Sequence, residues 1–336
     1  MRFLSPVFLT LSILLLAALA QAQSDAGAAA KAAFDAGDFS KAVSLLKKLV
    51  KADPSDAGAW NSLAAAYLHL NEAGKAEAAS AEAIKAEPKN AEYWGTYGFA
   101  LAAAEKDDNA RSAAVKASEL DPKLAVPYYV QALVSFRAGD HAKSFGLNEK
   151  AIAADPNFAA PHLLKARLYI AHLAQIYDKE VDRDRTKGQR SKILSDAAAA
   201  LARFDSLTPG HTSDSKMSAP LTVLNFFVEY YKWLAQKDQD GQNASSLKGS
   251  ASWATVVNLI PPGYKEKMRE PKDVVRLLVY LGADGKVGPI LVLKGLPNGL
   301  TEKAIENLQQ LKFTPARKNG VPINVVRIVE YTVTAL

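Results

Sequence analysis

Cysteine is absent from all 336 residues. The chain can therefore form no disulfide, lipid attachment through a lipobox is excluded, and stability must come from packing. Histidine is scarce, and His69, His141, His162, His172 and His211 show no metal-ligand spacing with acids. No G-x-S-x-G, H-E-x-x-H, P-loop or G-x-G-x-x-G run occurs. The stretch Asp238-Gln239-Asp240-Gly241 lacks the later acid that a calcium loop needs. The expectation is a non-enzyme with no cofactor and no bound metal. Strong charge of either sign is also missing. Residues 23–250 hold 28 basic and 28 acidic side chains, whereas 251–336 hold 12 and 7, so the net charge of +6 sits almost wholly in the last segment. Ordinary surface charge accounts for a surplus of that size, although a mild positive field toward an anionic envelope polymer or an acidic partner is compatible with it. In the charged run DKEVDRDRTKGQRSK, acids and bases alternate, which speaks against a nucleic-acid arm and for extended helices with a solvated turn.

Apolar residues are plentiful, at 49%. After Arg2, residues 3–20 are nearly unbroken in apolar character and lead to Ala20-Gln21-Ala22. A basic start, an apolar core and an A-x-A site form the pattern of a secretory signal peptide, here 1–22. An uncleaved membrane anchor is the competing reading, since the run is close to spanning length.

The dominant pattern is a period of 34 residues. Trp60, Leu63, Ala64, Tyr67, Ala76, Ala83 and Pro88 return as Trp94, Tyr97, Gly98, Leu101, Ala110, Ala117 and Pro122. They return again more loosely as Tyr128, Ala132, Gly139, Ser144, Ala151 and Pro156. A partial copy precedes them with Gly37, Phe39, Ala42, Leu46, Leu49 and Pro54. A fifth unit starts with His162, Lys165, Ala166 and Tyr169, departs at the charged run, and resumes with Ala197, Leu201, Phe204 and Pro209. Small residues let paired antiparallel helices approach, and each proline ends a second helix. No hairpin of this kind buries its apolar face alone, so the units must stack. This register resembles the tetratricopeptide repeat family, which implies an all-α superhelix over 23–236 with about five repeats and a closing helix, PLTVLNFFVEYYKWLAQ. Such stacks bind proteins or peptides. The repeat register places Asn61, Leu68, Phe99, Tyr129, Leu133, Phe136, Arg167 and Ile170 on the concave face. The family's carboxylate clamp is matched only at Asn61, so the groove is read as an apolar, aromatic one for a peptide with hydrophobic anchors. Self-occupation of that groove by the closing helix stays open as the other reading.

Residues 237–250, KDQDGQNASSLKGS, read as a flexible linker. Beyond it the period changes. Residues 273–281 and 287–293 are β-rich runs joined by Gly282-Ala283-Asp284-Gly285, a hairpin signal. Thr301 is expected to cap a helix with Ala304, Ile305, Leu308 and Leu311 on one stripe. Lys318-Asn319-Gly320 forms a turn, and 323–334 a long strand. The order DGKV, VLKGLP, GLTEKAIENL, FTPARKNGVPI and VEYTV resembles the TonB C-terminal domain family. Upstream, Lys265 and Lys272 or Asp273 depart from that family's usual residues. The resemblance implies a small α+β domain over 251–336, folding alone behind its linker and docking on outer-membrane proteins by strand addition. Its candidate edge is the last strand, with Val325, Arg327, Val329, Tyr331 and Val333. The expected whole is a periplasmic or secreted protein-binding adaptor, close to the membrane but not spanning it once the leader is cleaved. The alternative is an energy transducer held in the inner membrane by an uncleaved N-terminus.

Overall fold

A computed structural model of the chain describes residues 25–178, 183–208, 223–232, 255–257, 274–296, 299–318 and 320–332. The leader 1–22, the linker 237–250 and Val333 lie outside the described residues. The chain divides into two compact units, Met1–Gln131 and Ala132–Leu336, with the division inside a helix.

The first unit is a run of short antiparallel helices: α1 (25–35), α2 (Phe39–Ala52), α3 (Ala57–His69), α4 (Ala73–Ala86), α5 (Ala91–Ala103), α6 (Asp107–Leu120) and the first half of α7 (Ala125–Arg137). The repeat positions explain their packing. Ala64, Ala76, Ala83, Ala110 and Ala117 are fully buried, and a Cβ on Gly98 would stand 3.2 Å from Ala114 N and 3.3 Å from Ala110 O. Only a hydrogen atom fits between those backbones. Asp38, Asp56 and Asn90 cap α2, α3 and α5 by accepting from Lys41 N, Ala59 N and Glu92 N.

Two periodic devices extend beyond helix packing. The aromatic that opens each first helix bonds back to the proline that closed the previous repeat. Trp60 Nε1 donates to Pro54 O at 2.9 Å, Trp94 Nε1 to Pro88 O at 2.9 Å, and the Tyr128 hydroxyl to Pro122 O at 3.0 Å. In the second unit His162 Nε2 lies 3.0 Å from Pro156 O, so this histidine serves the repeat. The second device is the turn inside each hairpin, where Gly37, Asn71, Glu105 and Gly139 all adopt positive φ. Each turn carries the crossed bonds of a Schellman ending, such as Lys106 N to Leu101 O and Glu105 N to Ala102 O. Glu105, at φ 59°, holds a conformation that costs a side-chain-bearing residue about 1–2 kcal/mol. Relief of that strain exceeds glycine's added chain entropy, about 0.5–1 kcal/mol. Glu105→Gly is therefore expected to raise the urea midpoint of the first unit, and a fall would show that the Glu105 side chain makes a compensating contact.

The second unit begins with the end of α7 and continues through α8 (His141–Ala154), α9 (Ala159–Asp178), α10 (Arg183–Leu207) and α11 (223–232). Its long pair, α9 and α10, arises where the period fails. The next left-handed position would be residue 173, but Leu173 occupies it, 1% exposed within α9. A buried leucine cannot turn the chain, so both helices run into the charged segment. Leu164, Leu168, Ala171 and Ala174 of α9 are buried, as are Ile193, Ala197, Leu201 and Phe204 of α10, and these two helices pack together.

The strands are β1 (Thr255–Val257), β2 (Val274–Leu281), β3 (Val287–Lys294), β4 (Lys312–Thr314), β5 (Arg317–Lys318), β6 (Val321–Pro322) and β7 (Val325–Thr332), with α12 (Leu300–Gln309) between β3 and β4. Antiparallel β3, β2 and β7 form the main sheet in that order; β1 pairs with β4, and β5 with β6. Val275, Leu277, Val279 and Leu281 point to one face, where they join Ala304, Leu308 and Leu311 of α12 with Phe313, Val325, Val329 and Tyr331. This is the expected helix-on-sheet core. Thr301 differs from expectation: Gly299, at φ 75°, precedes the helix and no side chain caps it. Thr301 Oγ1 instead accepts from Leu296 N at 2.7 Å and donates to Leu296 O at 2.8 Å, pinning the strand-to-helix connection.

Candidate functional site

Two surfaces follow from this architecture, one on the helices and one on the sheet. On the first unit, α1, α2 and α3 bound an open concavity of about 440 Å³ lined by Phe34, Leu46, Ala59, Asn61, Ser62 and Ala65. Asn61 is half-buried, and its Oδ1 finds no hydrogen-bond partner among the described residues. Leu68 packs partly against the helical core, and Phe99 stands edge-on to Tyr129 with centroids 5.6 Å apart. Tyr129 itself is 9% exposed.

The remaining groove positions are closed. Leu133, Phe136 and Ile170 are 8%, 1% and 0% exposed. Phe136 cannot serve as an open anchor because its ring lies between two neighbours. The His141 ring stacks on it at 5.2 Å, and the Arg167 guanidinium stands over it at 4.7 Å. The expectation of an open aromatic groove through Leu133, Phe136 and Ile170 is thus corrected: all three side chains are buried, with His141 and Arg167 over Phe136.

The C-terminal sheet takes part in that closure. His141 Nε2 is 3.0 Å from Leu293 O at the end of β3, while Gln175 Nε2 lies 3.4 Å from His141 Nδ1. Donation to the carbonyl requires the tautomer with hydrogen on Nε2. Gly295 N donates to Arg137 O at 3.3 Å. At the α7–α8 turn, Gly139 leaves room for the Lys294 stem, which a Cβ there would meet at 3.2 Å. On α11, Leu224, Phe227, Val228 and Tyr231 are buried along one stripe. Phe226 and Tyr230, one turn apart, both meet the Tyr280 ring edge-on, at 5.0 and 5.9 Å. Part of the second face of the sheet is accordingly covered, with Leu278, Leu291 and Leu293 at 1%, 5% and 2% exposure. The sheet has helices on both sides: α12 packs on one face, and helices of the same unit meet the other.

Tyr280 is held in place from its own sheet. A Cβ on Gly288 would fall 2.7 Å from Tyr280 Cδ1, so the ring lies directly over that glycine. Burial, with the Asp284 charge nearby, pushes the Tyr280 phenol above its ordinary value, and burial does the same to Tyr331, so both rings stay neutral. Gly288→Ala should displace the ring and loosen its two aromatic contacts, costing about 1–3 kcal/mol by overpacking. Near-ultraviolet circular dichroism during heating checks this; an unmoved transition would mean that Tyr280 does not bear on the docked face.

Among the described strands, β7 lies at a sheet edge, with β2 its one neighbour in the main sheet. Its side chains need reassignment. Val325, Arg327, Val329 and Tyr331 pair with Leu281, Val279, Leu277 and Val275, so all four lie on the α12 face. Val325, Val329 and Tyr331 belong to the core there and are not free to read a partner. What β7 can offer outward is main chain. Glu330, on the other face, is paired to Arg276 Nε at 2.6 Å.

Residues 33–98 match the tetratricopeptide repeat family, and residues 264–333 match the Gram-negative bacterial TonB protein C-terminal family. The chain carries a tetratricopeptide region and a TonB C-terminal domain. No curated protein matches it. Among solved structures, it is similar to the MamA protein, with 20% identity over 57% of this chain and 95% of that one, at a TM-score of 0.37. It is similar to a thermophilic tetratricopeptide protein of Thermus thermophilus, with 17% identity over 61% and 99% and a TM-score of 0.47. It is also similar to PilW, a type IV pilus biogenesis factor, with 18% identity over 66% and 90% and a TM-score of 0.43. Likenesses this distant say nothing of partners. Tetratricopeptide repeats and the TonB C-terminal domain are both non-catalytic binding domains, and together they imply an envelope-associated role in protein interaction. Among the described residues, no group of side chains could hold a metal ion, and no helix is long and apolar enough to cross a membrane.

Proposed function

We propose that this protein is a periplasmic adaptor. Its tetratricopeptide region binds one protein through the concavity around Asn61 and Ser62, and its TonB C-terminal domain docks on an outer-membrane or envelope protein through the backbone of β7. The observation that carries this reading is β7 itself, an eight-residue strand at the edge of the described main sheet, with Val325, Val329 and Tyr331 spent on the core. Unpaired main-chain donors and acceptors on such an edge are suited to an extended segment from a partner, which adds a strand without needing a pocket. The basic start, apolar run and A-x-A site of residues 1–22 support export.

The test is site-specific photocrosslinking in cells with p-benzoylphenylalanine at Glu330 on β7 and, separately, at Ser62 in the concavity. Both positions are exposed. Distinct envelope proteins captured from the two positions support the adaptor. Absence of any product from Glu330 removes docking through β7, and absence from Ser62 removes the concavity as a partner site. Mass spectrometry of the same purified chain determines its N-terminus: a start near Gln23 fits the adaptor, and an intact Met1 favours the membrane-anchored transducer.

A further inference from the structure

We propose that the C-terminal sheet is an autoinhibitory cap on the α7–α9 end of the helical stack, and that the groove residue Phe136 becomes available to a ligand only when the sheet lifts away. The inference rests on reading the groove as a partner site, and it starts from a conflict. Phe136 and Ile170 stand at repeat positions that face the groove, yet they are 1% and 0% exposed. One residue joins the burial of Phe136 to the sheet. The His141 ring covers Phe136 and also places Nε2 3.0 Å from Leu293 O, so the histidine that closes the groove is held by β3.

The contacts have the character of a latch. The sheet has a core of its own with α12 on the far face, built from Leu277, Val279, Leu308 and Val329. The docked side is secured at separate points: Gly295 N on Arg137 O, His141 on Leu293 O, Lys294 against Gly139, and Tyr280 between Phe226 and Tyr230. A sheet with a self-sufficient core on one face can leave its second face as a unit. Such sub-global opening has a lower free energy than global unfolding. Opening would uncover Leu278, Leu291 and Leu293 together with the groove, so an apolar ligand on either surface would favour the open state.

The full chain, free of cysteine, accepts one engineered pair without competing thiols. A Cβ on Gly139 lies 3.7 Å from Lys294 Cβ, inside the range of about 3.5–4.5 Å that disulfides use. Gly139→Cys with Lys294→Cys should therefore oxidise readily to an intramolecular bridge. Amide exchange is then compared between the oxidised and reduced forms. The bridge should slow exchange at the α7–α8 turn and at the end of β3 by about tenfold or more, leaving Val279 in β2 unchanged. Tyr280→Ala, in the parent chain, should speed the same amides and switch on fluorescence of the dye anilinonaphthalene sulfonate as the leucines become accessible. Adding the disulfide to Tyr280→Ala should suppress the dye signal. Failure of the pair to bridge would mean that the two segments do not sit together, and the cap falls. A bridge that alters exchange nowhere would mean that the interface never opens, and the cap falls equally. Gly139 has φ 80°, so a cysteine there is strained. His141→Phe is the independent variant: it keeps a ring on Phe136, loses the bond to Leu293 O, and should reproduce the faster exchange without touching that backbone. None of these measurements involves a partner, so their failure is distinct from failure of the photocrosslinking experiment.

Discussion

The Phe136→Ala variant is expected to lose about 3–5 kcal/mol of stability, the range for a buried phenylalanine truncated to alanine. The ring is 1% exposed and faced by His141 and Arg167. The loss should fall on the second unit. Exchange of α8 and α9 amides should accelerate, while α3 and α4 keep their protection, because repeat stacks transmit stability mainly between neighbours. Urea unfolding of the full chain gives the overall size of the effect, and residue-resolved exchange gives its location. Had the groove been open, the same substitution would remove a ligand anchor and leave the midpoint in place. An unshifted midpoint would therefore restore the open groove and remove the basis for the cap.

Leu308→Ala is expected to cost about 2–5 kcal/mol and to act on the sheet. Leu308 is fully buried on the α12 stripe, under Val275, Leu277, Val279 and Val329. Removing it leaves a cavity against strands whose pairing, Val274 with Thr332 through Leu281 with Val325, is the longest ladder in the chain's main sheet. Exchange at β2 and β7 should become fast while the helices of the first unit are unchanged. If the helices of the second unit loosen together with the strands, the sheet supports the stack continuously. If they stay protected, the sheet is a separable element, as a cap requires. Retained protection throughout β2 and β7 would show that α12 contributes little to the sheet's core.

The 34-residue period made the helices legible, because tight packing requires a small residue at every recurrence and Ala64, Ala76, Ala110 and Ala117 supply it. The left-handed turns were legible in principle at Gly37 and Gly139. Asn71 and Glu105 concealed the pattern, since only the backbone reveals their positive φ. The strands were visible from composition and turns, but the role of β2 was not. Its run Val-Val-Arg-Leu-Leu-Val-Tyr-Leu does not alternate cleanly, which marks a strand buried on both faces, and the covered second face follows from that. Groove residues could be assigned to a helix face from spacing alone. Whether that face was already occupied could not, because Phe136 meets His141 within its own repeat and His141 meets Leu293 far along the chain. Val325, Val329 and Tyr331 were rightly placed on the terminal strand, yet their side chains turn inward because the register with β2 sets the face.

The pairing of β2 with β7 also imposes an order on how the molecule is made. Helical hairpins close contacts between near neighbours and form early, whereas contacts between distant segments form slowly. As the chain emerges from its N-terminal side, the repeats can fold while β2 waits for β7, across the whole of α12, β4 and the β5–β6 hairpin. During that interval β2 is an unpaired edge with leucines on both faces, the kind of segment that recruits other chains. The interval between synthesis of β3 and arrival of β7 is thus the vulnerable moment in this protein's life. A premature stop between them would produce a folded helical stack carrying an adhesive strand, with aggregation rather than simple loss of binding as its consequence.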